Sequence, residues 1–70
     1  MLWWFEREGR HTTIEVLDLP NGEYELRFVD EAGVERIERF ANASELAKRQ
    51  HAIQETLVTQ GWARSGQWMM

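Results

Sequence analysis

Two histidines, His11 and His51, are the first residues to weigh for chemistry. Zinc needs three or four converging ligands, and its motifs place pairs of them a few residues apart. Forty positions separate these two, and the chain has no cysteine, so neither has a partner at ligand spacing. His11 is expected beside a turn and His51 on the solvated face of a helix. The carboxylates come next. A close pair serves acid–base catalysis when burial drives the two pKa values apart. Glu15, Glu25, Glu35 and Glu38 instead share their stretches with apolar residues, as the solvated side of a strand does. Among nucleophiles, Ser44 stands where serine assists helix capping and Ser65 near the chain end. Neither has a histidine or acid at a recognised motif spacing. The five glycines are scattered over turns and form no phosphate-cradling loop. The expectation is a protein without catalytic residues, cofactor or metal.

Aromatics and arginines give a sharper possibility. Trp3, Trp4, Phe5, Tyr24 and Phe28, with Arg7, Arg10, Arg27, Arg36 and Arg39, could make a sheet that stacks bases and pairs phosphates. Single-strand nucleic-acid binders combine these two features. Four strands followed by a helix also resembles, in topology alone, the whirly-type single-strand binders. Charge weighs against it. Residues 1–40 hold ten acids and five arginines, and the first lysine is Lys48. An acidic half repels phosphate backbones. Nucleic-acid binding is therefore the alternative to protein contact, not the leading reading.

The elements that must position these residues follow from periodicity. Leu2 to Arg7 reads as a first strand, turned by Glu8-Gly9-Arg10. From Thr12 to Leu17, Ile14 and Val16 alternate with Thr13 and Glu15, the period of a half-buried strand. Pro20-Asn21-Gly22 is a hairpin signal, and Tyr24, Leu26 and Phe28 alternate with Glu25 and Arg27. Asp30-Glu31-Ala32-Gly33 suits a type I turn closed by a glycine bulge. Val34, Ile37 and Phe40 fall three apart, which predicts a bulged or edge strand. A helix then starts at the N-cap Asn42, with Glu45 completing a capping box. Its apolar stripe is Leu46, Ala47, Gln50, Ile53, Leu57 and Val58, and Glu45 can pair with Arg49. Gly61 suits the left-handed position after the last turn, with Trp62 packing back on Leu57.

These elements predict an α+β fold: an antiparallel meander of three or four strands (ββββα) with one long C-terminal helix on one face. The domain spans 1–62, and 63–70 reads as a loose tail in which Trp68 is either free or a short return strand. A single helix about 10 Å wide cannot cover a sheet roughly 20 Å wide, nor its other face. Leu17, Leu19 and Val29 should lie on that other face, with one of the adjacent pair Trp3 and Trp4. The surface expected to make contacts is Trp4, Leu17, Leu19 and Val29.

The bulk numbers sharpen this. A chain of 70 residues holds one domain and buries roughly 60% of its unfolded surface, which leaves stability marginal. Small domains add a disulfide, a metal or a partner chain. With no cysteine the first is closed, and the composition suits a reducing cytoplasm. No apolar run approaches the ~20 residues that span a bilayer, and no signal-peptide pattern opens the chain, so Met1 reads as the start of a soluble protein without membrane contact. The run Val34 to Phe40, the Arg49-Gln50 pair, Leu57 and the ending Gly61-Trp62 resemble a group of short bacterial proteins. Those have a β-meander, one helix and a Gly-Trp helix ending, and no activity is assigned to them. That resemblance, over residues 24–62, implies a fold, a bacterial origin and packing roles for Phe40 and Trp62. Together these readings predict a non-catalytic protein-interaction module acting as a homodimer.

Overall fold

The structure is a computed structural model that describes residues 1–68, and for Trp68 the backbone alone. Its elements in chain order are β1 (Leu2–Arg7), β2 (Arg10–Asp18), β3 (Tyr24–Val29), β4 (Glu35–Phe40), α1 (Ala43–Thr59) and β5 (Ala63–Trp68). The strands form one antiparallel sheet in the order β4-β3-β2-β1-β5, with α1 packed over β3 and β4. This is the expected α+β architecture with a fifth strand added.

Turn chemistry sets the register. Leu19 N–H donates to the Glu23 carbonyl (2.9 Å) and Gly22 N–H to the Leu19 carbonyl (3.1 Å). The next hairpin repeats the device, with Asp30 N–H on the Val34 carbonyl (3.1 Å) and Gly33 N–H on that of Asp30 (2.9 Å). Each is a type I turn closed by a glycine at positive φ. Asp30 adds a side-chain lock, since its Oδ1 accepts from Ala32 N–H (2.9 Å) and Val34 N–H (3.0 Å). The first hairpin differs: Glu8 and Gly9 both take positive φ (53° and 77°) between the paired residues Arg7 and Arg10. A glutamate in that region costs about 1 kcal/mol.

The helix ends are as the residues dictate. Asn42 Oδ1 accepts from Glu45 N–H at 2.9 Å. At the other end, Gly61 N–H reaches the Val58 carbonyl (3.0 Å) and Trp62 N–H the Leu57 carbonyl (2.9 Å), with Gly61 at φ 91°. These two bonds define a Schellman ending, which turns Trp62 under the last turn. Between the caps the buried stripe is narrower than the periodicity predicts. Leu46, Ile53 and Leu57 are buried and Gln50 half-buried, whereas Ala47 is exposed and Val58 is 61% exposed. Each of those two lies one residue, 100° of rotation, past a buried neighbour, and a helix resting on two strands covers only a thin stripe. Arg49 also departs from expectation. It bonds Glu38 rather than Glu45, with Nε to Oε1 at 2.9 Å and Nη2 to Oε2 at 3.0 Å. Glu38 lies on the helix-facing side of β4, where it offers a two-pronged match.

The core joins Trp3, Phe5, Ile14 and Leu26 from the sheet to Leu46, Ile53 and Leu57 from α1, and Trp62 seals it. Val16, Tyr24, Phe28 and Phe40 pack at its margin, which gives Phe40 and Trp62 packing roles. Trp3, at 6% exposure, is the inward member of its pair, and Trp4 is half-buried on the other face.

One expectation is corrected. Residues 63–68 are not a loose tail: they form β5, which pairs with β1 from Glu6↔Ala63 to Leu2↔Trp68. Gly66 sits under the Trp4 indole, where any side chain would collide with the ring, so a bare backbone accepts the aromatic. The domain therefore runs through Trp68; Met69 and Met70, also assigned to the tail, lie outside the described residues. Nor does β4 bulge. Its register against β3 is unbroken, with Ile37 opposite Arg27 and Phe40 opposite Tyr24, so those two apolar residues point to opposite faces. The irregularity lies in β5, where Ser65 is the extra residue opposite the Trp4–Phe5 step.

Candidate functional site: the open face of the sheet

Among the described residues no element covers the sheet face opposite α1. Strand alternation and register arrange its side chains in rows. One row runs Trp4, Thr13, Val29, Glu35; the next runs Leu2, Glu15, Arg27, Ile37; a third runs Leu17, Glu25, Arg39. Three of the four residues expected to make contacts are here. Trp4 and Val29 share a row, and Leu17 stands apart from them beyond Glu15. Leu19 lies past the end of β2 at the base of its turn. Ile37, half exposed at 50%, joins the surface, which the three-residue spacing of β4 had hidden. Apolar residues on this face are thus interleaved with charge.

The electrostatic centre is Glu25. It was expected on the solvated side of its strand, and it is on that face, yet only 5% exposed. Long arginine stems and the apolar residues beside it exclude water. Arg27 Nε donates to Glu25 Oε2 at 2.8 Å, and Arg39 Nε lies 3.7 Å from Oε1. The Glu25 hydrogen bond and charge hold the Arg27 guanidinium above its ordinary pKa. A raised basic group contributes stability at every pH below its unfolded value, so this contact is complete throughout the neutral range. Two of the arginines proposed to meet phosphates are thus already engaged by a carboxylate, and the Arg49 guanidinium is likewise raised by its bond to Glu38.

The other chemical candidates are placed as follows. His11 is exposed at the start of β2, opposite Glu6. His51 is exposed on α1, with Nε2 at 3.0 Å from Glu55 Oε1. Ser44 is exposed in the first turn of α1, and Ser65 Oγ donates to the Trp4 carbonyl at 3.3 Å, across the β5 irregularity. Among the described residues no three histidines or acids are grouped to hold a metal ion, and no helix is long and apolar enough to cross a membrane. Comparison with known proteins finds no matching family model, no matching curated protein and no matching solved structure.

Proposed function

We propose that the protein is a non-catalytic interaction module that pairs with a second copy of itself through the open face of the sheet. The observation that carries this reading is a five-stranded sheet with its single helix on one side, and Trp4, Leu17, Val29 and Ile37 on the other. Two such faces stack about 10 Å apart, as sheets in sandwiches do. A two-fold axis sets each patch against itself, and the face carries both signs, Glu15 and Glu35 with Arg27 and Arg39. Burial of the apolar rows also supplies the stabilisation that a 70-residue chain without disulfides lacks. A reducing cytoplasm, bacterial in the resemblance noted above, suits such a chain.

Light scattering at micromolar concentration tests the reading. The expected mass is twice that of the chain. Ile37→Glu and Val29→Lys, at partly exposed positions, should return it to one chain while leaving the circular dichroism unchanged. A monomeric wild-type protein overturns the proposal.

A further inference from the structure

The sheet has two edges, and they differ. Among the described residues no strand lies beyond β4 on one side or beyond β5 on the other. β5 carries the irregularity at Ser65, and a kink of that kind blunts an edge. β4 is straight, with unbroken register from Val29↔Glu35 to Tyr24↔Phe40. Such an edge presents a row of unpaired N–H and C=O groups to any strand that lies beside it.

The hairpin fixes which groups β4 presents. Asp30 N–H donates to the Val34 carbonyl at 3.1 Å, so the backbone of Val34 bonds toward β3. Hydrogen-bonded pairs alternate along an antiparallel ladder, so Arg36, Glu38 and Phe40 bond toward β3 as well. Glu35, Ile37 and Arg39 turn their N–H and C=O groups outward. The edge also carries exposed apolar side chains, Val34 and Ile37.

The charges of β4 are only partly answered within the chain. Among the described residues Glu35 and Arg36 have no oppositely charged group within 4.0 Å. Arg39 is exposed and lies 3.7 Å from Glu25, and Glu38 holds Arg49 with lone pairs left for a second donor. The order of these charges is decisive. Lay the run Val34 to Phe40 antiparallel against a second copy, with Ile37 opposite Ile37. Glu35 then meets Arg39, Arg36 meets Glu38, and Val34 meets Phe40. In the same register the outward backbone groups of Glu35, Ile37 and Arg39 meet one another. Sliding one strand by two residues, the next step that keeps this backbone phase, sets Arg36 on Arg36 or Glu38 on Glu38. Like charges directly opposite one another are destabilising. A merely guarded edge repels its own copies, whereas this one attracts them in a single register.

We propose that β4 is a second self-association surface, on which two copies pair antiparallel about a two-fold axis through Ile37 and normal to the sheet. The two five-stranded sheets join into one, with both helices on the same side. The overlap is short and smaller than stable interfaces, so the contact forms above the micromolar range in which pairing of the faces is read. It uses the edge and not the face, so the two assignments stand or fall separately.

Sedimentation equilibrium of the full chain from about 20 µM to about 1 mM tests the surface. The mass at the low end reads the pairing of faces. Its rise, which should at least double that mass, reads the pairing of edges. Arg36 is exposed and unpaired within the chain, so Arg36→Glu should fold. It should weaken the rise about tenfold, since like charges replace opposite ones at both ends of the contact. Glu38→Arg should do the same. An equimolar mixture of the two variants should restore the association, because every opposed pair is again of opposite sign. In the unsubstituted chain the amides of Glu35, Ile37 and Arg39 should exchange more slowly at the high concentration, while those of Arg36 and Glu38, already bonded to β3, keep their rates. That measurement stands even if Glu38→Arg, which gives up Arg49, fails to fold. The proposal is overturned by a mass that does not rise, by a rise that Arg36→Glu leaves unchanged, by a mixture of the two folded variants no stronger than either alone, or by slowing that does not single out those three amides.

Discussion

At Glu25 a carboxylate is held out of water on a face that is otherwise wet, and two guanidiniums answer it. Either arginine alone can keep the charge compensated, while loss of both strands a buried anion. Arg27→Ala and Arg39→Ala should therefore each destabilise mildly, and the double variant by more than their sum, in urea unfolding followed by circular dichroism. Simple additivity would mean that the two contacts are independent. The alternation of Tyr24, Leu26 and Phe28 made the face of Glu25 legible, but not its burial. Burial depends on Leu17 and Arg39, which cross-strand register brings opposite it from distant parts of the chain. Thr12 shows the same limit. Its parity with Ile14 is plain in the sequence, but the burial of its hydroxyl without a hydrogen-bond partner among the described residues becomes visible only once α1 and Trp62 close over that end of the sheet.

Among the elements, α1 gives the clearest contrast between pattern and packing. Leu57 and Val58 are adjacent, and both belong to the periodic apolar stripe. Leu57 is 4% exposed and Val58 61%. Leu57→Ala should cost about 2–5 kcal/mol, as a large-to-small change in a core does. Val58→Ala should stay within about 0.5 kcal/mol, the range for surface positions. Chemical denaturation of both variants checks this, and equal losses would mean that the helix is rotated from the orientation described. The caps of α1 were legible because capping is local: Asn42 with Glu45, and Gly61 with Trp62, lie within a few residues of one another. The turn from Asp30 to Gly33 was legible for the same reason. The edge position of β4 was one of the two forms legible in the spacing of Val34, Ile37 and Phe40, but its unbroken register, which puts Ile37 into solvent on one face and Phe40 toward the helix on the other, was not.

On the scale of the whole molecule, the strand that the sequence left undecided, as a free tail or a short return strand at Trp68, is the one that completes the sheet at the edge of β1. Ala63 to Trp68 has almost no apolar alternation, since Arg64, Ser65, Gly66 and Gln67 are polar or small. Its partner, β1, lies at the other end of the chain, and what holds it is the ladder itself and the fit of Trp4 over Gly66. Gly66→Ala forces either the indole or the strand to move. It should cost about 1–3 kcal/mol, the usual range for overpacking. It should also reduce amide-exchange protection in β5 while leaving β2 and β3 protected. Unchanged protection in β5 would show that the indole adjusts without disturbing the ladder. The pairing of the first and last strands also fixes how the fold responds to force. Leu2 and Trp68 sit side by side at one end of the β1–β5 ladder. Tension applied through these two residues loads the terminal pair first and then each next pair in turn, like a zip pulled from its open end. The sheet should yield at low force and in small steps along this direction. A pull between Leu2 of β1 and Ala63 of β5, at opposite ends of that ladder, would by contrast load all its pairs together in shear.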